Sequence, residues 1–125
     1  MIYGVGIDMV EVSRMEKALE RWGDRFLKRI FTQSEIEYCH HKVRSASLFA
    51  LRFAAKEAFS KALGLGFRKG LSLQHIEVVR DPGGPPRLNL YKRAKELCES
   101  CGVKNSFLSL SDDGLYAVAV VVLET

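Results

Sequence analysis

Two spacings of apolar residues run along this chain, one with the period of a strand and one with the period of a helix. "IYGVGI" (Ile2 to Ile7) is a short apolar run containing Gly4 and Gly6. It predicts a first strand that another backbone can approach closely, with Asp8 standing just beyond its end. "SRME" then supplies Ser13 as a helix N-cap and Glu16 three residues later, a capping box, and Met15, Ala18, Leu19 and Trp22 follow at helical spacing as one apolar face. "TQSE" repeats the device with Thr32 and Glu35 and predicts a short second helix through the 30s. A third helix, capped by Ser45 or Ser47, carries "RFAAKEAFSKALG" (Arg52 to Gly64) and stops at Gly64, a residue suited to the C′ position. At about 100° per residue, Leu48, Leu51, Ala55, Ala58, Phe59 and Ala62 form one stripe that can pack on a sheet, with Glu57 roughly opposite.

From Leu71 the pattern shifts. "HIEVV" and "PRLNL" read as strands joined by the turn-rich "RDPGGP", and "YKRAKELCES" returns to helical spacing before Gly102. "SFLSLS" alternates, "DDG" turns, and "LYAVAVVVLE" is a final strand, so these two are expected to form a hairpin. Strand, helices, two strands, helix, two strands is an α+β order: a largely antiparallel sheet packed against helices. With 125 residues and no linker or repeat, a single domain over residues 1–125 is expected.

Composition narrows the class without naming a function. Hydrophobic residues are 47% and charged residues 27%, as in ordinary globular proteins. The longest apolar run, "LYAVAVVVL", is well short of the ~20 residues of a membrane-spanning helix. The N-terminus lacks the basic region and small-residue cleavage site of a signal peptide, which gives the expectation of a cytoplasmic protein. The three cysteines agree with a reducing compartment. "CESC" (Cys98 to Cys101) has no second pair at metal-ligand spacing, and the consecutive Cys39, His40 and His41 point in different directions on a helix. A net charge of +4 and a pI near 9.1 favour an acidic partner, with nucleic acid, phosphates and an acidic protein all open.

The candidate chemistry lies in two carboxylates. Glu57 precedes Lys61 by four residues, which by itself is also the pattern of an exposed helix pair worth about 0.2–0.5 kcal/mol. Phe53, Glu57 and Lys61 share one line on the helix, and Ala50 and Ala54 leave room beside the carboxylate. Asp8, at the end of a glycine-containing strand, is equally compatible with a turn. Brought together, two carboxylates from separate elements could share one hard cation, and Mg²⁺ suits such a site because it completes its shell with water and phosphate oxygens.

"GIDMVEVSR" (Gly6 to Arg14) and "RFAAKEAFSKALG" together resemble the two signature motifs of the holo-[acyl-carrier-protein] synthases, the small 4′-phosphopantetheinyl transferases. "RIFTQSE", "GLS" at Gly70, the "GPPR" turn and "SLSDDGLYAVAVVVLE" extend the resemblance through nearly the whole chain. What it implies is transfer of the phosphopantetheine arm from coenzyme A to a serine of apo acyl carrier protein, releasing adenosine 3′,5′-bisphosphate. By the same resemblance, Asp8 and Glu57 would hold Mg²⁺ against the pyrophosphate and Lys61 would contact the phosphates. Arg52, Ser60, Gly64 and the rest of "GLGFRKG" are candidates for coenzyme A binding; this loop lacks the ending of a Walker motif. Relatives dock the acidic carrier on the first helix, which assigns that role to Arg14, Arg21, Arg25 and Lys28, aligned on one stripe if the helix is continuous. They also assemble as homotrimers with the active site between subunits. Two departures stand out. Phe107 occupies a position where many relatives have histidine, and Gly84, Pro85, Pro86 replace a common Gly-Lys-Pro turn.

Two other classes compete. A small nucleic-acid-binding domain would need stacking aromatics on a basic face or a recognition helix, whereas Phe107 and Tyr116 are expected in the core. A structural domain that keeps the fold without the activity is suggested by Phe107.

Overall fold

The computed structural model describes all 125 residues. Strand β1 (Ile2–Glu11) leads into α1 (Val12–Ile30), α2 (Gln33–Cys39) and α3 (Ser45–Leu63). A 3₁₀ turn (Leu73–His75) precedes the hairpin of β2 (Ile76–Arg80) and β3 (Pro86–Leu90), and α4 (Lys92–Ser100) leads to the second hairpin, β4 (Asn105–Asp112) and β5 (Tyr116–Glu124). All pairings are antiparallel: β1-β5-β4 form one sheet and β2-β3 another. The expected α+β class and both hairpins are therefore present.

Helix α3 is the centre of the fold. Thirteen of its residues are buried, so the single packed stripe expected from its spacing is only part of its contact surface. One side lies on the sheet against Ala119, Val121 and Leu123; the other meets α1 and α2, where Phe31 and Phe49 pack with ring centroids 4.9 Å apart. A helix enclosed on nearly all sides reads as apolar all round, which is why alanine dominates it. It ends at Gly64 in the left-handed conformation (φ 83°).

The contact that positions everything else is between β1 and α3. A Cβ added to Gly6 would lie 1.8 Å from the Ala58 carbonyl oxygen, and one added to Gly4 would lie 1.9 Å from that of Ala62. Two strand residues advance about 6.6–6.8 Å and four helix residues about 6 Å, so glycines two apart match alanines four apart. Backbone rests on backbone, and Asp8 is the next position on the same face of the strand.

Several local expectations need correction. β1 does not end at Ile7: Asp8 to Glu11 continue the ladder against Ala119 to Tyr116, so Asp8 lies inside the strand. Ser13 does not cap α1. Glu11 holds the N-cap position without a side-chain bond, and the Ser13 hydroxyl donates to Glu11 Oε1 at 2.6 Å. α3 begins after Arg44, also without a side-chain cap, so neither Ser45 nor Ser47 serves. The box at Thr32 and Glu35 is present as expected. Gly23 interrupts α1 with φ 51° and ψ −134°, so the helix is two segments rather than one. Trp22, assigned by spacing to the packed face, is 55% exposed.

Candidate active site

Asp8 on β1 and Glu57 on α3 face a common cavity of about 640 Å³. Lys61, one turn beyond Glu57, donates from Nζ to Asp8 Oδ1 at 2.9 Å and to the Ile7 carbonyl at 3.1 Å. The Asp8 side chain is 16% exposed and that of Lys61 53%. The Glu57 carboxyl titrates above the ordinary range, first because it is partly withdrawn from water and second because Asp8 is a like charge nearby; Lys61 opposes both. Of the two carboxylates only Asp8 is ion-paired, to Lys61, and Glu57 has no ion-pair partner. That donor set suits a hard cation, and with no cluster of three or more His, Cys, Asp or Glu side chains to form an all-protein cage, it suits one that keeps water and phosphate in its shell.

Besides the carboxylates Asp8, Glu11 and Glu57, the cavity is lined by apolar residues and by exposed bases of α1. Met15, Ala18, Trp22 and Phe26 of α1 and Phe53 of α3 line it, with Arg14, Lys17 and Arg21 among the α1 residues at its edge. The Arg21 guanidinium stands 5.4 Å from the Trp22 ring centroid. Arg14 and Arg21 thus share the site, whereas Arg25 and Lys28 are exposed beyond the break at Gly23 and do not line the cavity. The single continuous stripe of four basic residues is not formed.

The remaining sequence candidates sit elsewhere. Arg52 is 3% exposed; its Nη1 donates to the Leu48 carbonyl at 3.2 Å, its guanidinium lies 4.6 Å from the Tyr38 ring centroid, and its Nε has no partner. Ser60 is buried and donates to the Glu57 carbonyl at 2.8 Å, while Gly64 closes α3. Phe107 and Tyr116 are not core residues: they are 54% and 43% exposed. Phe107 lies on the sheet face away from α3, in a row with Val122 and Val5, beside a second row of Ile7 and Val120. Cys98 is buried and its thiol is pushed up to about 11 by that burial.

Spacing gave no sign of what lies behind the site. Lys56, next to Glu57, is fully buried and donates to Glu35 Oε1 at 2.7 Å, to the Leu73 carbonyl at 3.1 Å and to the Ile76 carbonyl. Glu35 also accepts from the backbone of Thr32 and Val78 at 3.0 and 2.9 Å. Burial holds the Lys56 ammonium below its ordinary pKa, opposed by Glu35. The sequence carried no distinct signal for this pair: Glu35 reads as part of a capping box, and Lys56, 21 positions later, as one more charge beside Glu57.

Residues 4–121 match the family model of the 4′-phosphopantetheinyl transferase superfamily. This chain belongs to that superfamily. Its similarity to other members extends over almost the entire length. It is 56% identical over 124 residues to the holo-[acyl-carrier-protein] synthase of Geobacter sp. (strain M21), covering 99% of each chain. It is 49% identical to that of Geobacter sulfurreducens, covering 99% of this chain and 98% of the relative. Among solved transferase structures, the holo-[acyl-carrier-protein] synthase from Neisseria meningitidis matches with a TM-score of 0.90 at 36% identity, covering 100% of both chains. The Helicobacter pylori enzyme, solved in complex with coenzyme A, matches with a TM-score of 0.84 at 38% identity, covering 96% of this chain and 99% of the other. In this transferase, Asp8 and Glu57 come from the two stretches that suggested the family in sequence.

Proposed function

We propose that the protein transfers the 4′-phosphopantetheine arm of coenzyme A to a serine hydroxyl of apo acyl carrier protein, with Mg²⁺, and releases adenosine 3′,5′-bisphosphate. The observation that carries this reading is the convergence of Asp8 and Glu57 on one cavity with Lys61 at Asp8. Mg²⁺ held by the two carboxylates would neutralise charge that grows on the diphosphate as the phosphorus–oxygen bond breaks. Lys61, on a flexible stem, supplies a further positive charge to the phosphate oxygens. The proton of the carrier serine leaves by a group other than position 107, because phenylalanine cannot accept it.

The acidic carrier docks where the bases of α1 and the apolar wall adjoin. Arg14, Lys17 and Arg21 supply the charge that steers it, and Phe26 and Phe53 supply surface for an apolar side chain. Val5, Ile7 and Met9 of β1 are 58–64% exposed and run beside Val118, Val120 and Val122 with Phe107 at the far edge, an apolar sheet face that monomers rarely leave open. This face supports association of three copies, with coenzyme A held between neighbours. No helix is long and apolar enough to cross a membrane, and the reading places the protein in the cytoplasm, where its two substrates meet.

The test is direct. Incubation with coenzyme A, Mg²⁺ and an apo carrier is expected to raise the carrier mass by one phosphopantetheine. A folded protein that modifies none of several apo carriers refutes the assignment and favours the inactive-domain alternative.

A further inference from the structure

Lys61 is bound where a cation belongs. Its ammonium takes one Asp8 oxygen and the neighbouring Ile7 carbonyl, leaving one of its three donor directions unassigned. Glu57 is one turn away along the same helix face and lines the same cavity as Asp8. Lys61 pairs with Asp8 alone and Glu57 has no ion-pair partner, so the two carboxylates still offer a divalent ion its oxygens, yet that ion needs the Asp8 oxygen that Lys61 holds.

We propose that Lys61 is an internal stand-in for the divalent ion, occupying Asp8 in the free protein and released to the diphosphate when coenzyme A arrives, so that ion and coenzyme bind cooperatively. The inference rests on the metal reading of Asp8 and Glu57 given above. The half-exposed lysine has the reach and freedom to move, since its stem is a four-carbon chain and no second acid holds it. Diphosphate oxygens offer it a more highly charged partner than Asp8. Once it leaves, Asp8 is free for the ion, and the ion in turn strengthens the grip on the diphosphate; the two affinities must change by the same factor.

The experiment measures Mn²⁺ binding by electron paramagnetic resonance, with and without coenzyme A, on the full chain, on Lys61→Met and on Asp8→Asn. Methionine keeps the length of the stem and removes the charge at an exposed position, and thermal melting followed by circular dichroism establishes that each variant is folded. The wild-type protein is expected to bind Mn²⁺ weakly alone and tightly with coenzyme A. Lys61→Met is expected to bind Mn²⁺ alone about tenfold more tightly, because an exposed ion pair no longer competes and a like charge has gone from beside the ion. Its gain from added coenzyme A is expected to shrink. Mn²⁺ affinity in Lys61→Met equal to or below that of the wild type overturns the stand-in role. Unchanged Mn²⁺ binding in Asp8→Asn is a separate failure: it removes the metal site itself.

Discussion

Replacing Gly6 with alanine should disable the site by displacing a strand, without touching any polar group. The new Cβ would sit 1.8 Å from the Ala58 carbonyl oxygen, 2.7 Å from the Ala62 nitrogen and 2.9 Å from the Ala58 carbonyl carbon. Ordinary contact begins near 3.4 Å, so 3.4 minus 1.8 requires β1 and α3 to separate by about 1.6 Å at this point. Forcing one extra methyl into a packed interior costs about 1–3 kcal/mol when side chains can rearrange. Here the obstruction is helix backbone, so about 3 kcal/mol or more is expected, a fall in melting temperature of roughly 10 °C. Asp8 lies two residues along the same strand face, and a displacement of about 1 Å at reacting groups lowers turnover on the order of a hundredfold. Differential scanning calorimetry reads the first effect, and transfer assayed well below the melting temperature reads the second. Ala58→Gly cannot rescue the variant, because the clashing atoms belong to the main chain. A Gly6→Ala protein with wild-type melting and activity, or one restored by Ala58→Gly, would refute the backbone-contact account.

Other substitutions separate chemistry, docking, stability and assembly. Glu57→Gln and Asp8→Asn should each abolish transfer while the protein remains folded. The Glu57 carboxyl is raised in the folded state, so its deprotonation opposes folding as pH rises past the ordinary value of 4.5. Glu57→Gln should therefore melt at or slightly above the wild type at pH 7, with the difference vanishing below about pH 4.5; a lower melting temperature at pH 7 contradicts this. Reversing Arg14 and Arg21 to Glu should raise KM for the carrier by about tenfold or more and leave KM for coenzyme A unchanged, while reversing Arg25 and Lys28 beyond the Gly23 break should do less. Lys56→Met leaves Glu35 buried without its counter-ion and should cost about 3–5 kcal/mol in urea unfolding, with Glu35→Gln added to it recovering part of the loss. Ile7→Lys on the open sheet face should yield a smaller species in sedimentation; an unchanged sedimentation coefficient argues against that face as the interface.

Sequence spacing revealed the fold to the extent that local chemistry controls it. The Thr32–Glu35 box, the stop at Gly64 and the two antiparallel hairpins are all decided by residues within a few positions of one another. Ser13 failed as a cap because β1 runs on to Glu11 and enters α1 directly: strand pairing with β5 outweighed a local preference. Gly23 was passed over because an isolated glycine inside a helical pattern is usually tolerated, and only its positive φ exposes the break. Asp8, Glu57 and Lys61 were singled out from their places on strand and helix and given roles by the family resemblance, but their convergence depends on the fit of Gly4 and Gly6 against Ala62 and Ala58, a tertiary match that no single stretch displays. Phe107 was misassigned to the core because alternation in a strand says which residues share a face, not which face is covered.

Because side chains on a strand point alternately to opposite sides, β1 cannot serve its two surroundings independently. Asp8 is flanked by Ile7 and Met9, which are 59% and 64% exposed on the outer face of the sheet. Any force that tilts or slides the outer face therefore reaches the acid through a single peptide unit. Substitutions on that face that disturb the packing of one copy against the next would retune the chemistry as well as the assembly.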